Sequence, residues 1–230
     1  MDPLHPLLKK MEREWDQRAR KNALYYVNTE RTDWTEADFF LSGRREVEEQ
    51  ILNDMGNICR GQDPKTMRVL EIGCGAGRVT SALSEVFGEV HGVDVSGEMV
   101  ERARQILAGR PNVFLYKNNG MDLSVLGEVP FDFAFSIVVF QHIPHHQVVE
   151  SYVREVHRLL RPGALFKFQV QGDLRVRNEP DDTWIGAPFS DEQIVAMGRR
   201  CGFDPRYRSG AGEQYFTVWF FKNRGSAEQP

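Results

Sequence analysis

Three glycines stand within five positions at residues 73–77, between a hydrophobic run and an amphipathic segment. Glycine in a regular element costs about 0.5–1 kcal/mol relative to alanine, so three of them close together need a compensating role. That role is a tight turn, a close approach of two backbones, or a ligand lying against the main chain. The run before the glycines, "MRVLEI", has a β-strand pattern, and "RVTSALSEVF" after them has apolar residues at helical spacing. The feature therefore predicts a strand–loop–helix unit.

The same alternation of strand and helix patterns continues along the chain. Further strand patterns are "VHGVDV", "NVFLY", "FDFAFSIVVF" and "ALFKFQV", with helix patterns between them. The segments "FDPRYRSG" and "QYFTVWFF", joined through "GAGE", predict a closing β-hairpin. Strands that alternate with helices form mostly parallel sheets covered on both faces. The predicted fold is α/β: a Rossmann-like, doubly wound and mostly parallel sheet of seven strands with an antiparallel edge hairpin.

Capping residues and composition predict the element ends and the domain boundaries. Ser96 and Ser190 are expected to begin helices, and Pro162-Gly163 is expected to end the helix before the fifth strand. Ser42 is a possible helix start, and Thr35, three residues before Asp38, gives a second capping signal further back. Residues 1–60 are rich in charged and aromatic side chains and carry weak helix patterns. We therefore expect a helical segment over residues 1–60, a Rossmann-like core over 61–223 and a flexible polar tail over 224–230.

The composition excludes several classes of protein. The chain is 41% hydrophobic and 27% charged, which is ordinary for a soluble globular protein. Its net charge of −4 disfavours nucleic acid and anionic membrane as partners. Three widely spaced cysteines, Cys59, Cys74 and Cys201, favour a reducing compartment over a disulfide scaffold. Because no apolar stretch has the length of a signal sequence or a membrane span, we expect a cytoplasmic protein.

The spacing around the glycines distinguishes between nucleotide ligands. The pattern is G-x-G-x-G, with Arg78 where the last glycine of the dinucleotide fingerprint would stand. Glu71 lies two residues before the first glycine, where an acid would repel a pyrophosphate. Asp94 ends the second strand, near the ~20-residue separation expected of a ribose-binding carboxylate. The residues favour a nucleoside with a cationic end and no phosphate, such as S-adenosylmethionine. The alternative is a glycine turn that only lets a helix pack on a strand.

Five segments resemble the motifs of the class I S-adenosylmethionine-dependent methyltransferases. "VLEIGCGAGRVT" resembles their first motif, and "VHGVDVSGEMVERAR" the segment that follows it in the small-molecule branch. "NNGMDL" is similar to the third cofactor loop, although Asn119-Gly120 replaces its usual acid. "FDFAFSIVVFQHIP" and "VREVHRLLRPGALFKF" resemble the fourth motif and the helix and strand after it. The resemblance covers residues 66–171. It implies transfer of a methyl group from S-adenosylmethionine, leaving S-adenosylhomocysteine, to an O or N nucleophile of a small-molecule acceptor.

The resemblance also implies a set of cofactor residues. The glycines would line the methionine portion, Asp94 would hold the ribose, and Val95 and Met99 would pack on adenine. The segment 136–138 would pass beneath the sulfonium. The full set is Glu71, Gly73, Cys74, Gly75, Gly77, Asp94, Val95, Met99, Asn119, Gly120, Met121, Ser136, Ile137 and Val138. For Met99 the alternative is a place in the plain helix core, and for Cys74 it is a small packing residue.

The catalytic candidates follow from position. His142 comes directly after the fourth strand, so it is the best candidate for a general base, although capping or packing is an alternative. In the family, a segment such as residues 1–60 packs as a helical lid, and Tyr25 and Tyr26 are candidates for its acceptor side. Arg175 and Arg177, in the long segment after the fifth strand, could bind an anionic acceptor. The adjacent His145 and His146 would point apart on a helix, so no metal site is expected.

Two other functions stay open at this point. A nucleic-acid or protein methyltransferase is one, although "SIVVF" lacks the Pro-Pro-aromatic run of enzymes that methylate exocyclic base amines. A non-catalytic S-adenosylmethionine-binding protein is the other. The sequence names neither the acceptor nor the oligomeric state.

Overall fold

A computed structural model of the protein describes residues 4–179 and 181–223. The described helices are α1 His5–Val27, α2 Glu36–Gln50, α3 Met55–Cys59, α4 Arg78–Val86, α5 Gly97–Ile106, α6 His146–Leu159 and α7 Asp191–Arg200. The described strands are β1 Arg68–Ile72, β2 Glu89–Asp94, β3 Val113–Lys117, β4 Phe131–Ser136, β5 Leu160–Val170, β6 Phe203–Ser209 and β7 Phe216–Lys222.

These seven strands form one sheet in the order β3-β2-β1-β4-β5-β7-β6, with helices on both sides. The sheet is mostly parallel, and its last two strands are antiparallel. The predicted Rossmann-like fold with an edge hairpin is therefore confirmed. The chain divides into two compact units, Met1–Gly120 and Met121–Pro230. The predicted tail, residues 224–230, lies outside the described residues.

In the first unit, β2 pairs in parallel with β1 on one side and with β3 on the other. Helix α4 connects β1 to β2, and α5 connects β2 to β3. Helix α5 begins as predicted, because the Ser96 side chain accepts a hydrogen bond from the Met99 amide. The expected boundary at residue 60 lies inside this unit, which contains α1–α3 as well as the first three strands.

Among the helices before β1, α2 begins at a different residue from the possible start at Ser42. Helix α2 begins after Thr35, whose side chain accepts from the Asp38 amide, so the predicted start at Ser42 is wrong. The Ser42 hydroxyl instead donates to the Phe39 carbonyl inside the helix. At the next residue, a Cβ atom on Gly43 would lie 2.1 Å from the Arg78 carbonyl oxygen. Glycine there lets α2 approach the start of α4 closely.

Helix α1 is kinked near its carboxyl end. Asn22 has φ −167° and ψ 88°, so the helical backbone is interrupted at this residue. The Asn22 Oδ1 atom accepts from the Tyr25 amide at 3.1 Å, which caps the short helical segment that follows. The kink therefore has a local cause in the asparagine side chain.

In the second unit, β4 and β5 are parallel, and β7 pairs in antiparallel fashion with both β5 and β6. Phenylalanine rings pack against one another along β5 and β7, with Phe166 and Phe168 stacked at 4.4 Å. Helix α6 ends at Leu159, and Pro162-Gly163 lies within β5, not before it as predicted. The pairing with β4 shifts register between Phe131 and Phe133, and such a bulge tolerates a proline in a strand.

No helix among the described residues has an apolar stretch long enough to cross a membrane.

Candidate functional site

The glycine-rich loop joins β1 to α4 with three residues in left-handed conformations. Gly73, Gly75 and Gly77 have φ values of 77°, 50° and 85°, a region that favours glycine. A Cβ atom on Gly75 would lie 2.7 Å from Val27 Cγ2, at the end of α1. One on Gly77 would lie 2.8 Å from Leu107 Cδ1, after α5. The glycines therefore serve both as a tight turn and as sites of close approach.

The amide groups of this loop are largely used within the protein. The amides of Gly73 and Cys74 donate to the Val93 carbonyl at 2.7 and 3.0 Å, and the Gly77 amide donates to the Cys74 carbonyl. The Gly75 amide donates to the Asp94 carboxylate. A phosphate-binding loop presents its amides to the anion. With four amides already bonded, this loop fits a ligand without phosphate.

Asp94 lies at the carboxyl end of β2 and is fixed by two main-chain donors. Its Oδ2 accepts from the Gly75 amide at 2.9 Å, and its Oδ1 accepts from the Ser96 amide at 2.8 Å. Burial raises the pKa of Asp94 to about 6. The two amides favour the charged form and oppose this shift, and the nearby Asp16 carboxylate adds to it. Each carboxylate oxygen has a second lone pair, so Asp94 can still accept from two hydroxyls.

Glu71 is buried at the end of β1, beneath the glycine-rich loop. Thr80 in α4 donates its hydroxyl hydrogen to Glu71 Oε2 at 2.5 Å. Burial raises the pKa of Glu71 to about 7, while Thr80 and Arg78 oppose this shift. The hydrogen bond from Thr80 connects Glu71 in β1 to α4, and so it holds the loop between these two elements.

Arg78, the residue after the last glycine, has a role that the sequence did not predict. Its side chain is buried, and Nη2 lies 3.4 Å from Glu46 Oε2 in α2. Nη1 lies 3.5 Å from Ser42 Oγ. Burial raises the pKa of Glu46, and the Arg78 charge opposes that shift. The pair attaches α2 to the helix that starts at the glycine-rich loop.

The residues expected around adenine lie close to α1. A Cβ atom on Gly120 would lie 3.0 Å from Val95 Cγ2 and 3.7 Å from Leu8 Cδ2. The Gly120 amide donates to Asn118 Oδ1, while Asn119 is exposed. The structure therefore brings Val95 and Gly120 together beside the amino-terminal half of α1.

Met99 and Cys74 lie in hydrophobic clusters. Met99 is 1% exposed and packs with Ala23, Leu24, Phe39 and Ala76. This packing gives Met99 the place in the core that the sequence left as an alternative. Cys74 is buried, and burial raises the pKa of its thiol well above the usual range. A thiol kept neutral in this way is a packing group rather than a nucleophile.

Tyr25 and Tyr26 follow the kink in α1. Both are partly buried, and their rings meet edge to face at 5.1 Å. Tyr26 packs against the cluster that contains Met99. Tyr26 therefore belongs in part to the packing of the amino-terminal helices.

The second unit contains the remaining predicted residues, beginning at the end of β4. Ser136 is buried and ends the strand. Ile137 and Val138 are partly buried, as is Met121 in the earlier loop. Val138 has φ 56°, a left-handed conformation that is unusual for a β-branched residue. This strain could not be predicted from the sequence, because a valine is expected to avoid such a backbone.

His142 ends a short 3₁₀ helix after β4 and is partly buried. Its Nδ1 lies 2.5 Å from the Trp184 carbonyl oxygen, and the two rings lie 5.0 Å apart. A carbonyl oxygen only accepts, so Nδ1 carries the hydrogen and Nε2 is the nitrogen that can take up a proton. The Asp182 carboxylate accepts from the Trp184 amide at 2.7 Å and so fixes this carbonyl.

Residues 182–189, here called the strap, pack against the segment that contains His142. The amides of Gly186 and Ala187 donate to the carbonyls of Gln141 and Ile143, at 2.6 and 2.9 Å. A Cβ atom on Gly186 would lie 2.5 Å from Gln141. The strap is therefore tied to the chain on both sides of His142.

The other polar residues expected near an acceptor have local partners. Arg175 is mostly exposed and pairs with Asp173 at 2.8 Å, and Arg177 is exposed. His145 caps α6 by accepting from the Gln147 amide. The exposed His146 bonds the Pro188 carbonyl in the strap. The described residues contain no group of three His, Cys, Asp or Glu side chains that could hold a metal ion.

Residues 69–163 match the family described as "Methyltransferase domain". The chain is 30% identical over 119 residues to demethylmenaquinone methyltransferase of Staphylococcus aureus strain MRSA252, covering 50% of this chain and 45% of that protein. It is 29% identical over 140 residues to the putative methyltransferase YqeM of Bacillus subtilis strain 168, covering 57% and 52%. The chain thus spans about half the length of the curated relatives it matches.

The fold is also similar to solved structures. A DhpI–SAH complex superimposes with a TM-score of 0.65 at 17% identity, covering 95% of this chain and 98% of that one. This similarity confirms the fold expected from the sequence, and the domain match over residues 69–163 agrees with the family resemblance of the sequence motifs.

Proposed function

We propose that this chain, which carries a class I S-adenosylmethionine-dependent methyltransferase domain, transfers a methyl group from S-adenosylmethionine to an O or N nucleophile of a small-molecule acceptor. The observation that carries the proposal is the pairing of the glycine-rich loop with Asp94. A left-handed Gly75 donates its amide to Asp94 Oδ2 at 2.9 Å, so the loop and the acid form one unit. This unit offers carboxylates and few open amides, which suits a nucleoside with a cationic tail.

The residues of the first unit fit that cofactor. Asp94 would accept hydrogen bonds from the two ribose hydroxyls, a charge-assisted contact. Val95 and Gly120 would border the adenine, and the loop at 73–77 would lie along the methionine portion. Glu71 would keep the loop in place through Thr80. The cofactor, when bound, would supply a methyl group on a sulfonium, which the acceptor would attack in line at the methyl carbon while S-adenosylhomocysteine leaves.

The acceptor side is assigned to His142, with Tyr25 and Tyr26 as further candidates. A hydroxyl acceptor has to lose a proton as the methyl group is transferred, and His142 Nε2 can accept it. The bond from Nδ1 to the Trp184 carbonyl supports this role, because it selects the tautomer that leaves Nε2 basic. An amine acceptor would need no base if it arrived neutral. Residues 1–60 would act as the lid over the cofactor.

The relatives favour a small-molecule acceptor, because demethylmenaquinone methyltransferase is named for one. The net charge of −4 supports the same choice over nucleic acid. We also propose a cytoplasmic location, on the three unpaired cysteines and on a cofactor made inside cells.

The proposal is tested by an acceptor screen with methyl-labelled S-adenosylmethionine. Amines, phenols, thiols and carboxylates are incubated with the protein, and products are identified by a mass gain of one methylene. The expected result is a labelled small-molecule product together with S-adenosylhomocysteine. Label incorporated only into added RNA, DNA or protein would contradict the small-molecule assignment. Tight cofactor binding without turnover on any acceptor would contradict catalysis.

A further inference from the structure

Helix α1 contacts the start of α5 through one carboxylate. Asp16 Oδ1 accepts from the Ser96 hydroxyl at 2.6 Å and from the Glu98 amide at 3.2 Å. Asp16 therefore supplies an acceptor at the amino terminus of α5, where unsatisfied amides and the helix dipole favour a negative charge.

Ser96 makes three hydrogen bonds at this point, and it is fully buried. Its hydroxyl donates to Asp16 and accepts from the Met99 amide at 3.1 Å. Its own amide donates to Asp94 Oδ1 at 2.8 Å. One serine thus connects a carboxylate of α1 with the carboxylate to which we assign the ribose.

We propose that Asp16 is a positioning residue for the cofactor, which acts by fixing Ser96 and so the Asp94 carboxylate. This inference rests on the proposed function. Without Asp16, the Ser96 hydroxyl loses its acceptor and the turn between Asp94 and α5 loses its link to α1. The same link couples the docking of α1 to cofactor binding, and such coupling is reciprocal. Cofactor binding should therefore stabilise the docked position of α1 by the same free energy by which docked α1 strengthens cofactor binding.

The chain offers a matched control in Glu12, one turn earlier on α1. Glu12 pairs with Lys117 at the end of β3, so it also attaches α1 to the sheet unit. Both side chains are partly exposed, and none of the described hydrogen bonds of Glu12 reaches Ser96 or Asp94. Ion pairs near the surface contribute little to stability. Glu12→Gln therefore removes a link of α1 without reaching the ribose acid.

The test is a calorimetric titration of S-adenosylhomocysteine into wild type, Asp16→Ala, Asp16→Asn and Glu12→Gln, with the melting temperature of each measured alongside. We expect Asp16→Ala to weaken binding roughly 10-fold, as for a lost hydrogen bond to a charged group. Asp16→Asn keeps an acceptor oxygen for both donors, so it should bind within about threefold of wild type. Glu12→Gln should match wild type.

A merely structural role for Asp16 would lower the melting temperature of Asp16→Ala together with its affinity, and Glu12→Gln, which also loosens α1, would lose affinity in the same way. Unchanged affinity in a folded Asp16→Ala protein, or an equal loss in Glu12→Gln, would overturn the inference and leave the proposed function intact. A wild type that binds no S-adenosylhomocysteine would overturn both.

Discussion

The loops after β1 and β4 both turn the chain at the carboxyl end of a parallel strand, but they use left-handed backbone differently. In the loop at 73–77, the three left-handed positions are all glycine, so the turn carries no side-chain strain. In the loop after β4, the left-handed position is Val138, with φ 56°. Such a residue costs on the order of 1–3 kcal/mol and persists where the surrounding structure over-determines it.

The two loops are also held differently. The glycine-rich loop is held by Val93 and Asp94, about twenty residues away along the chain. His142, which follows Val138, is held by the strap at 182–189. The first loop is relaxed and the second is strained, which is what we expect if the first lets a ligand approach closely and the second orients the proposed base, His142. Strain of this kind clusters at active sites.

The largest expected effect is on His142, since a general base contributes to the chemical step. For a hydroxyl acceptor, His142→Ala should lower turnover roughly 10²–10⁴-fold with little change in cofactor affinity. Wild-type turnover should rise with pH as the imidazole loses its proton and becomes able to act as a base. His146→Ala is the matched control, because His146 also bonds a strap carbonyl but is exposed. A His142→Ala enzyme that keeps its rate and pH profile would assign the reaction to Tyr25, Tyr26 or positioning alone.

The next effect is on cofactor affinity. Asp94→Ala should weaken S-adenosylhomocysteine binding by about 1.5–3 kcal/mol, as for a lost hydrogen bond involving a charged group. Burial raises the pKa of Asp94 to about 6, and in the proposed site the ionised form would accept the ribose hydroxyls, so wild-type affinity should increase from pH 5 towards pH 7. Calorimetry across this range checks both statements. Equal affinity in a folded Asp94→Ala protein would remove the ribose assignment.

Two substitutions compare the loops directly by thermal unfolding: one removes a left-handed glycine, and the other introduces a glycine at the left-handed valine. Gly75→Ala should destabilise the fold by roughly 1–3 kcal/mol, because it places a Cβ atom in a left-handed position, 2.7 Å from Val27 Cγ2. Val27→Ala added to it should recover only the part due to this clash. Val138→Gly should instead leave stability unchanged or raise it, since relief of strain outweighs the glycine cost of about 0.5–1 kcal/mol, while turnover falls. The contrast between the loops would disappear if both exchanges destabilised the protein equally.

The smallest effect concerns Glu71. Its folded pKa of about 7 lies above the ordinary glutamate value of 4.5, so the folded state binds more protons than the unfolded chain between these values. Stability from this group is therefore full below about pH 4.5 and is lost as the pH rises through about 7. Glu71→Gln should raise the melting temperature by a few degrees at pH 8 and by less at pH 5. A mutant destabilised at pH 8 would show that the Glu71 charge is needed in the fold.

The features that were predicted correctly depend on residues close in sequence. The cap at Ser96 and the capping box at Ser190 each involve donors and acceptors within a few residues, and the glycine-rich loop is recognised by the spacing of its own glycines. The closing hairpin is equally local. Such patterns are visible in a single sequence because the partners occur at fixed spacing.

The features that were missed depend on distant partners or on local competition. Ser42 looked like a helix start, but Thr35 seven residues earlier is the better placed cap. Pro162-Gly163 is tolerated in β5 only because β4 pairs with a shifted register. The attachment of Arg78 to Glu46 and the tautomer of His142 both depend on side chains or carbonyls more than thirty residues away. No spacing rule connects such residues before the chain is folded.

The measurement that tests the central claim most directly is a calorimetric comparison of S-adenosylhomocysteine with NAD on the wild-type protein. The claim is that the loop at 73–77 and Asp94 bind a nucleoside without phosphate, since four loop amides are already bonded within the protein. The account predicts saturable binding of S-adenosylhomocysteine with one site per chain, and no detectable binding of NAD. Binding of NAD at least as tight as that of S-adenosylhomocysteine would contradict it.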